Sequence, residues 1–290
     1  MPGHSLRFVP HVTYALIAAA LMSSGAVADN HPDASDKPVA LAGWKYRVAV
    51  ENLPGIDNLV LDKEGALFAT QERGRGAGKV IHIDHGKITT LISGLDRPDG
   101  LLLRGNLLFI TEETLNGRVL EFDLTTKKMR TLAMLSKPEG IAMFPNGDLL
   151  ISEDVLGGRL LRVPREFGKS IEAILDDLQR PEGVLIKPDG VIVFAETASG
   201  SVLSYQNGEA NVIVDDLSEP DQVELAPDGS LWITEDVRNG RLLRLKDGVL
   251  ETVLSGLRYP QGMAIEADGS VWLAEQGRQR ILVILPPGRH

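Results

Sequence analysis

Two series of acids and amides recur at fixed points of this 290-residue chain. The first is Asp57, Asp99, Glu139, Glu182, Asp221 and Gln261, and the second is Gln71, Glu112, Glu153, Glu196, Glu235 and Glu275. Oxygen donors without Cys or His are what calcium or magnesium prefers. Carboxylates gathered around one axis cannot all stay ionised uncompensated, so protons or cations must accompany them. Calcium accepts many oxygens in flexible geometry, which suits a wide ring better than the strict octahedron of magnesium. The candidate ligands of such a divalent cation are Asp57, Asp99, Glu139, Glu182 and Asp221.

The elements that would position these acids follow from their spacing. Successive members of the first series lie 42, 40, 43, 39 and 40 residues apart. A period of this size belongs to propeller blades or helical arrays. Each unit carries a short apolar run, a turn such as Pro188-Asp189-Gly190 or Ala267-Asp268-Gly269, and a second apolar run. Asp-Gly between such runs signals a hairpin, and no stretch after the leader sustains a helical period. A third run follows Gly158 or Gly240, and a fourth ends at Leu95, Leu178, Leu217 or Leu257. The pattern predicts an all-β chain, a six-bladed β-propeller over residues 43–290. The last unit is one strand short, and Trp44 to Val50 with Leu53 is expected to supply it, removing an open sheet edge.

In an antiparallel blade the start of the first strand and the end of the second share a face. Both series should therefore sit at one channel mouth, the first on the axis and the second around it. The outer acids have an alternative employment, because a base opens the third strand at Lys79, Arg118, Arg159, Arg241 and Arg280. A network stitching neighbouring blades is thus expected of Glu112, Glu153 and Glu235. The inner series has no such built-in partner.

Composition bounds the rest. Residues 1–28 read as a signal peptide, with Arg7, an apolar run to Met22 and Ala26-Val27-Ala28 before the cleavage point, so the protein is expected to be exported, periplasmic or secreted. That run is too short for a permanent membrane anchor. Residues 29–42 are small, polar and proline-bearing, and read as a flexible lead-in. There is no cysteine, so disulfides contribute nothing. Forty acids oppose 30 bases, which argues against a nucleic-acid partner and is compatible with cation binding. A small molecule at the channel mouth is the expected partner.

The repeated PDG or PEG followed by DGxLW and an acid, as in Pro220-Asp221 to Glu235 and Pro181-Glu182 to Glu196, resembles the gluconolactonase, senescence-marker protein (regucalcin) and luciferin-regenerating enzyme family. The resemblance covers essentially the whole chain after residue 28 and implies a divalent cation, often calcium, on the axis. By blade, it points to Asp57, Glu139, Glu182 and Asp221 as ligands, with Asp99 beside them. It implies a metal-dependent hydrolase of a lactone or related ester, with Asp221 or an outer acid such as Glu196 accepting a proton. The chain departs from the family where Glu139 and Glu182 stand in place of Asn. The competing expectation is a non-catalytic propeller binding a metal, small molecule or partner protein at the acidic mouth, since fold alone does not separate the roles.

Overall fold

A computed structural model describes residues 37–166 and 168–289, so the proposed leader lies outside the described residues. Six antiparallel sheets of four strands follow one another, one of them extended by a fifth strand. Blade 1 is Ile56–Leu61, Leu67–Gln71, Gly78–Asp84 and Lys87–Leu95, in that order from the axis outwards. The innermost strands of blades 2 to 6 are Pro98–Arg104, Pro138–Met143, Pro181–Ile186, Pro220–Leu225 and Pro260–Ile265. The first hairpins form as their residue types demand. Asp62 Oδ1 accepts the N–H groups of Glu64 and Ala66, while Gly65 takes φ +87°, a left-handed conformation cheap only for glycine.

The ring closes as expected. Lys45–Val50 pairs antiparallel with Arg280–Leu285, placing Lys45 opposite Leu285 and Val48 opposite Leu282, and completes blade 6. The expected lead-in is not wholly flexible, because Val39 and Ala40 pair with Ser255 and Leu254 on the outer edge of blade 5. One N-terminal segment thus holds two blades. Trp44, between its two strands, is buried edge-on against Trp232 of blade 5 at 5.3 Å, with the Arg244 guanidinium 5.8 Å from both rings. Apolar clusters also join consecutive blades, as where Leu59, Leu67 and Ile81 meet Ala264, Ala274 and Ile281 across the closure. Fully burying such side chains contributes about 1.5–3 kcal/mol each, so the seams carry much of the stability.

One irregularity recurs in every blade. The pairing register slips between Ile56 and Leu59, Pro98 and Leu101, Pro138 and Ile141, Pro181 and Val184, Pro220 and Val223, and Pro260 and Met263. Each slip contains one member of the first acid series. A bulge of this kind bends the strand and re-aims a side chain, here at the strand end facing the channel mouth. The Pro-acid-Gly signature is therefore the opening of a bulged inner strand. Its glycine clears a passage, since a Cβ on Gly100 would stand 2.1 Å from the Glu139 carbonyl oxygen and one on Gly140 2.3 Å from that of Glu182.

Candidate metal centre at the channel mouth

The residue before each first-series marker pair adopts a left-handed backbone in all six blades: Gly55, Arg97, Lys137, Arg180, Glu219 and Tyr259, with φ between 45° and 67°. Its carbonyl oxygen accepts the N–H of the residue just past the second strand, at 2.6 to 3.0 Å, from Glu72, Glu113, Asp154, Thr197, Asp236 and Gln276 respectively. This sixfold frame fixes a second ring of side chains around the first. It is displaced by one residue from the predicted outer series.

The displacement has a simple cause. Successive residues of a strand point to opposite faces, so a one-residue error exchanges chamber for interior. Glu112, Glu153, Glu235 and Glu275 pair with Arg118, Arg159, Arg241 and Arg280 at 2.5 to 2.6 Å, inside their own blades and not between neighbours. Their link to the preceding blade is a backbone one. The same carboxylates accept the N–H groups of Asp96, Ser136, Ser218 and Arg258, which lie on the connections between blades. Glu196 is placed likewise. It accepts from Gln179 N and from Ser199 Oγ, both at 2.8 Å, and does not line the acidic chamber, which removes it from the reach expected of a proton acceptor. Gln71 donates to the Pro54 carbonyl.

The first series behaves otherwise. Asp57, Asp99, Glu139, Glu182, Asp221 and Gln261 all line one chamber of about 220 Å³, together with Glu72, Glu113, Asp154, Asp236 and Gln276 of the displaced ring, whose Thr197 does not line it. Glu139, Glu182 and Asp221 each offer an oxygen within 4.8 Å of the others, and Glu139 does the same with Glu113 and Asp154. Hydroxyls of the second strands lock neighbouring inner strands together. Thr111 Oγ1 donates to the Glu139 carbonyl and Ser152 Oγ to that of Glu182, both at 2.6 Å.

Three bases that the sequence reading passed over line the chamber too. Arg97 joins Glu72 (2.5 Å, ion pair) to Glu113; Lys137 joins Glu113 (2.6 Å) to Asp154 (2.9 Å); Arg180 joins Asp154 (2.7 Å) to Glu182 (3.0 Å). The result is an alternating ladder across blades 1 to 4. Its signal was in the sequence as the Arg-Pro-Asp, Lys-Pro-Glu and Arg-Pro-Glu triplets beginning at Arg97, Lys137 and Arg180.

Electrostatics mark the axis as undercompensated. Burial, then neighbouring carboxylates, pushes Asp57, Asp99, Glu139 and Asp221 well above the ordinary carboxylate range. Burial likewise raises Glu182 to about 8 and Asp236 to about 6, against hydrogen bonds from Thr197 and Gln261 that oppose the shift. Asp57 Oδ1, Asp99 Oδ1, Asp221 Oδ2 and Asp236 Oδ1 are buried without a hydrogen-bond partner. Orphaned oxygens and an oxygen-only donor set fit a hard divalent cation, so these acidic groups could hold one. Among the described residues, no histidine lines the chamber. Beyond the bulges a second cavity of about 430 Å³ runs along the inner strands, where Glu224, open to the lumen but enclosed by protein, is raised by burial to about 7 against the opposing Arg104 charge.

The fold is that of known six-bladed propellers. A gluconolactonase from Xanthomonas campestris superposes with TM-score 0.70 at 12% identity, over 84% of this chain and 90% of its own. A catalytically inactive virginiamycin B lyase from Staphylococcus aureus, with quinupristin, gives 0.62 at 16% identity, over 84% and 99%. An auxiliary nutrient binding protein from Bacteroides thetaiotaomicron gives 0.66 at 15% identity, over 80% and 69%. No protein-family model matches the sequence, and no curated protein matches it. At these identities the likeness is one of architecture, and function must be argued from the chamber.

Proposed function

We propose that this protein is an exported, calcium-dependent hydrolase that opens a lactone or related ester at its acidic channel mouth. The observation that carries the reading is the triplet Glu139, Glu182 and Asp221, buried, mutually within 4.8 Å and left with an unpartnered oxygen on Asp221. A divalent cation bound there would polarise a carbonyl and lower the pKa of a water. The triplet would hold the cation, with Asp57 and Asp99 lining the same chamber. Asp221 is the better proton acceptor, since Oδ2 is free while Gln222 Nε2 holds Oδ1 at 3.2 Å. The ladder of Arg97, Lys137 and Arg180 fixes the wall on one side, which limits the ways a substrate can lie.

A binding platform for a metal, small molecule or partner protein is the second reading, favoured by the blades' shared backbone frame and by the likeness in fold to a nutrient binding protein. Chelator-stripped protein assayed against γ- and δ-lactones with and without calcium separates the two. Turnover restored by calcium and abolished in Asp221→Ala supports the hydrolase; no turnover with any divalent metal leaves the platform. Export rests on the leader of residues 1–28, and an N-terminus beginning at Asp29 in secreted or periplasmic material would support it.

A further inference from the structure

We propose that the mouth holds two divalent cations, one between Glu139, Glu182 and Asp221 and a second at Asp57 and Asp99 across the axis. This rests on the reading of the chamber as a cation site, and deepens it. The first triplet draws one ligand from each of blades 3, 4 and 5, so its centre leans towards blade 4. In a ring of six, blade 1 stands opposite blade 4. Asp57 of blade 1 and Asp99 of blade 2 belong to neither of the triplets whose oxygens converge.

Both residues nonetheless show the marks of a ligand site. They are 2% and 8% exposed, and each has an Oδ1 without a hydrogen-bond partner. Asp57 Oδ2 is already taken by Gln276 Nε2 at 2.9 Å, which fixes its rotamer and leaves Oδ1 unfilled. A buried carboxylate oxygen without a donor requires a proton or a cation.

Charge decides how many cations. Nine carboxylates line the chamber: Asp57, Glu72, Asp99, Glu113, Glu139, Asp154, Glu182, Asp221 and Asp236. With all nine ionised, Arg97, Lys137 and Arg180 offset three, leaving an excess of six for protons or cations to answer. One divalent cation would leave four negative charges in a space of about 220 Å³, and two would leave two. Calcium completes its shell with water, so two carboxylates suffice for a weaker second site.

Counting the calcium tests this. Protein stripped with chelator and titrated with calcium, then weighed by native mass spectrometry and checked by equilibrium dialysis, should bind two ions per chain. The double variant Asp57→Asn, Asp99→Asn should bind one, and Glu182→Gln should also lose one while keeping the other. Circular dichroism of each metal-free variant should match the parent, which ties a lost ion to its ligands and not to misfolding. One ion in the parent, or two in the Asp57→Asn, Asp99→Asn variant, overturns the second site and leaves the first standing. No calcium bound at all would overturn both sites together.

Discussion

The two halves of the channel mouth share one backbone and differ in charge. In blades 2, 3 and 4 the left-handed position carries Arg97, Lys137 and Arg180, and an unbroken ladder runs from Glu72 to Glu182. In blades 5, 6 and 1 the same position carries Glu219, Tyr259 and Gly55, and the amides Gln261 and Gln276 stand among the acids. Three of the four unpartnered aspartate oxygens, those of Asp57, Asp221 and Asp236, belong to blades 1 and 5. A sixfold frame thus serves two ends. One half compensates its outer acids and holds its shape, while most of the acceptors left for something else to fill lie in the other.

The sharpest way to break this contrast is to remove a rung. Arg180→Ala leaves Asp154, 2% exposed, short of its closest cation while Lys137 still pairs with it, and should destabilise the protein by about 1–3 kcal/mol in urea unfolding. Glu219→Ala, at the equivalent and exposed place in blade 5, should shift stability by no more than about 0.5 kcal/mol. Equal effects would mean that the ladder is not a distinguishing feature of its half.

Calcium should act on the axial acids, which both halves supply. At about 100 times Kd it should stabilise the folded chain by about 2.7 kcal/mol, read as a rise in Tm. The effect should grow with pH. Carboxyls whose pKa rises on folding contribute stability that is present below their unfolded pKa and is lost as pH climbs through the folded one. With Asp236 at about 6 and Glu182 at about 8, metal-free protein should lose stability between about pH 4.5 and pH 8, and calcium should flatten that slope. A metal-free Tm that rises over this window would contradict the burial of these acids.

Smaller effects probe the shared frame. Gly140→Ala drives a Cβ to 2.3 Å from the Glu182 carbonyl oxygen and should cost about 1–3 kcal/mol, while disturbing the metal triplet directly. Thr111→Val removes the hydroxyl that latches blade 2 to the Glu139 carbonyl, and a loss of about 1 kcal/mol is expected from thermal or urea unfolding.

Much of this was legible in the sequence. The period, the Asp-Gly hairpins and the incomplete last unit were enough to specify six blades and the strand that closes them. The convergence of Asp57, Asp99, Glu139, Glu182 and Asp221 on one chamber followed from their place at the head of each inner strand. The outer ring did not, because strands end in acid doublets such as Glu112-Glu113, Glu153-Asp154 and Glu235-Asp236, and pattern alone does not say which member turns inward. The ladder was missed for a different reason. A residue before proline is ordinarily extended, and only the left-handed turn at Arg97, Lys137 and Arg180 aims their side chains at the mouth.

The N-terminal clasp has a consequence in time. Lys45 and its partner Leu285 are 240 positions apart, so this early strand waits for one made much later. At translation rates of about 5–20 residues per second that interval is roughly 10–50 s. Throughout it, Lys45–Val50 is an unpaired edge, and the acids of the unfinished ring still face water. The chamber's unusual protonation therefore begins only once Arg280–Leu285 has been made.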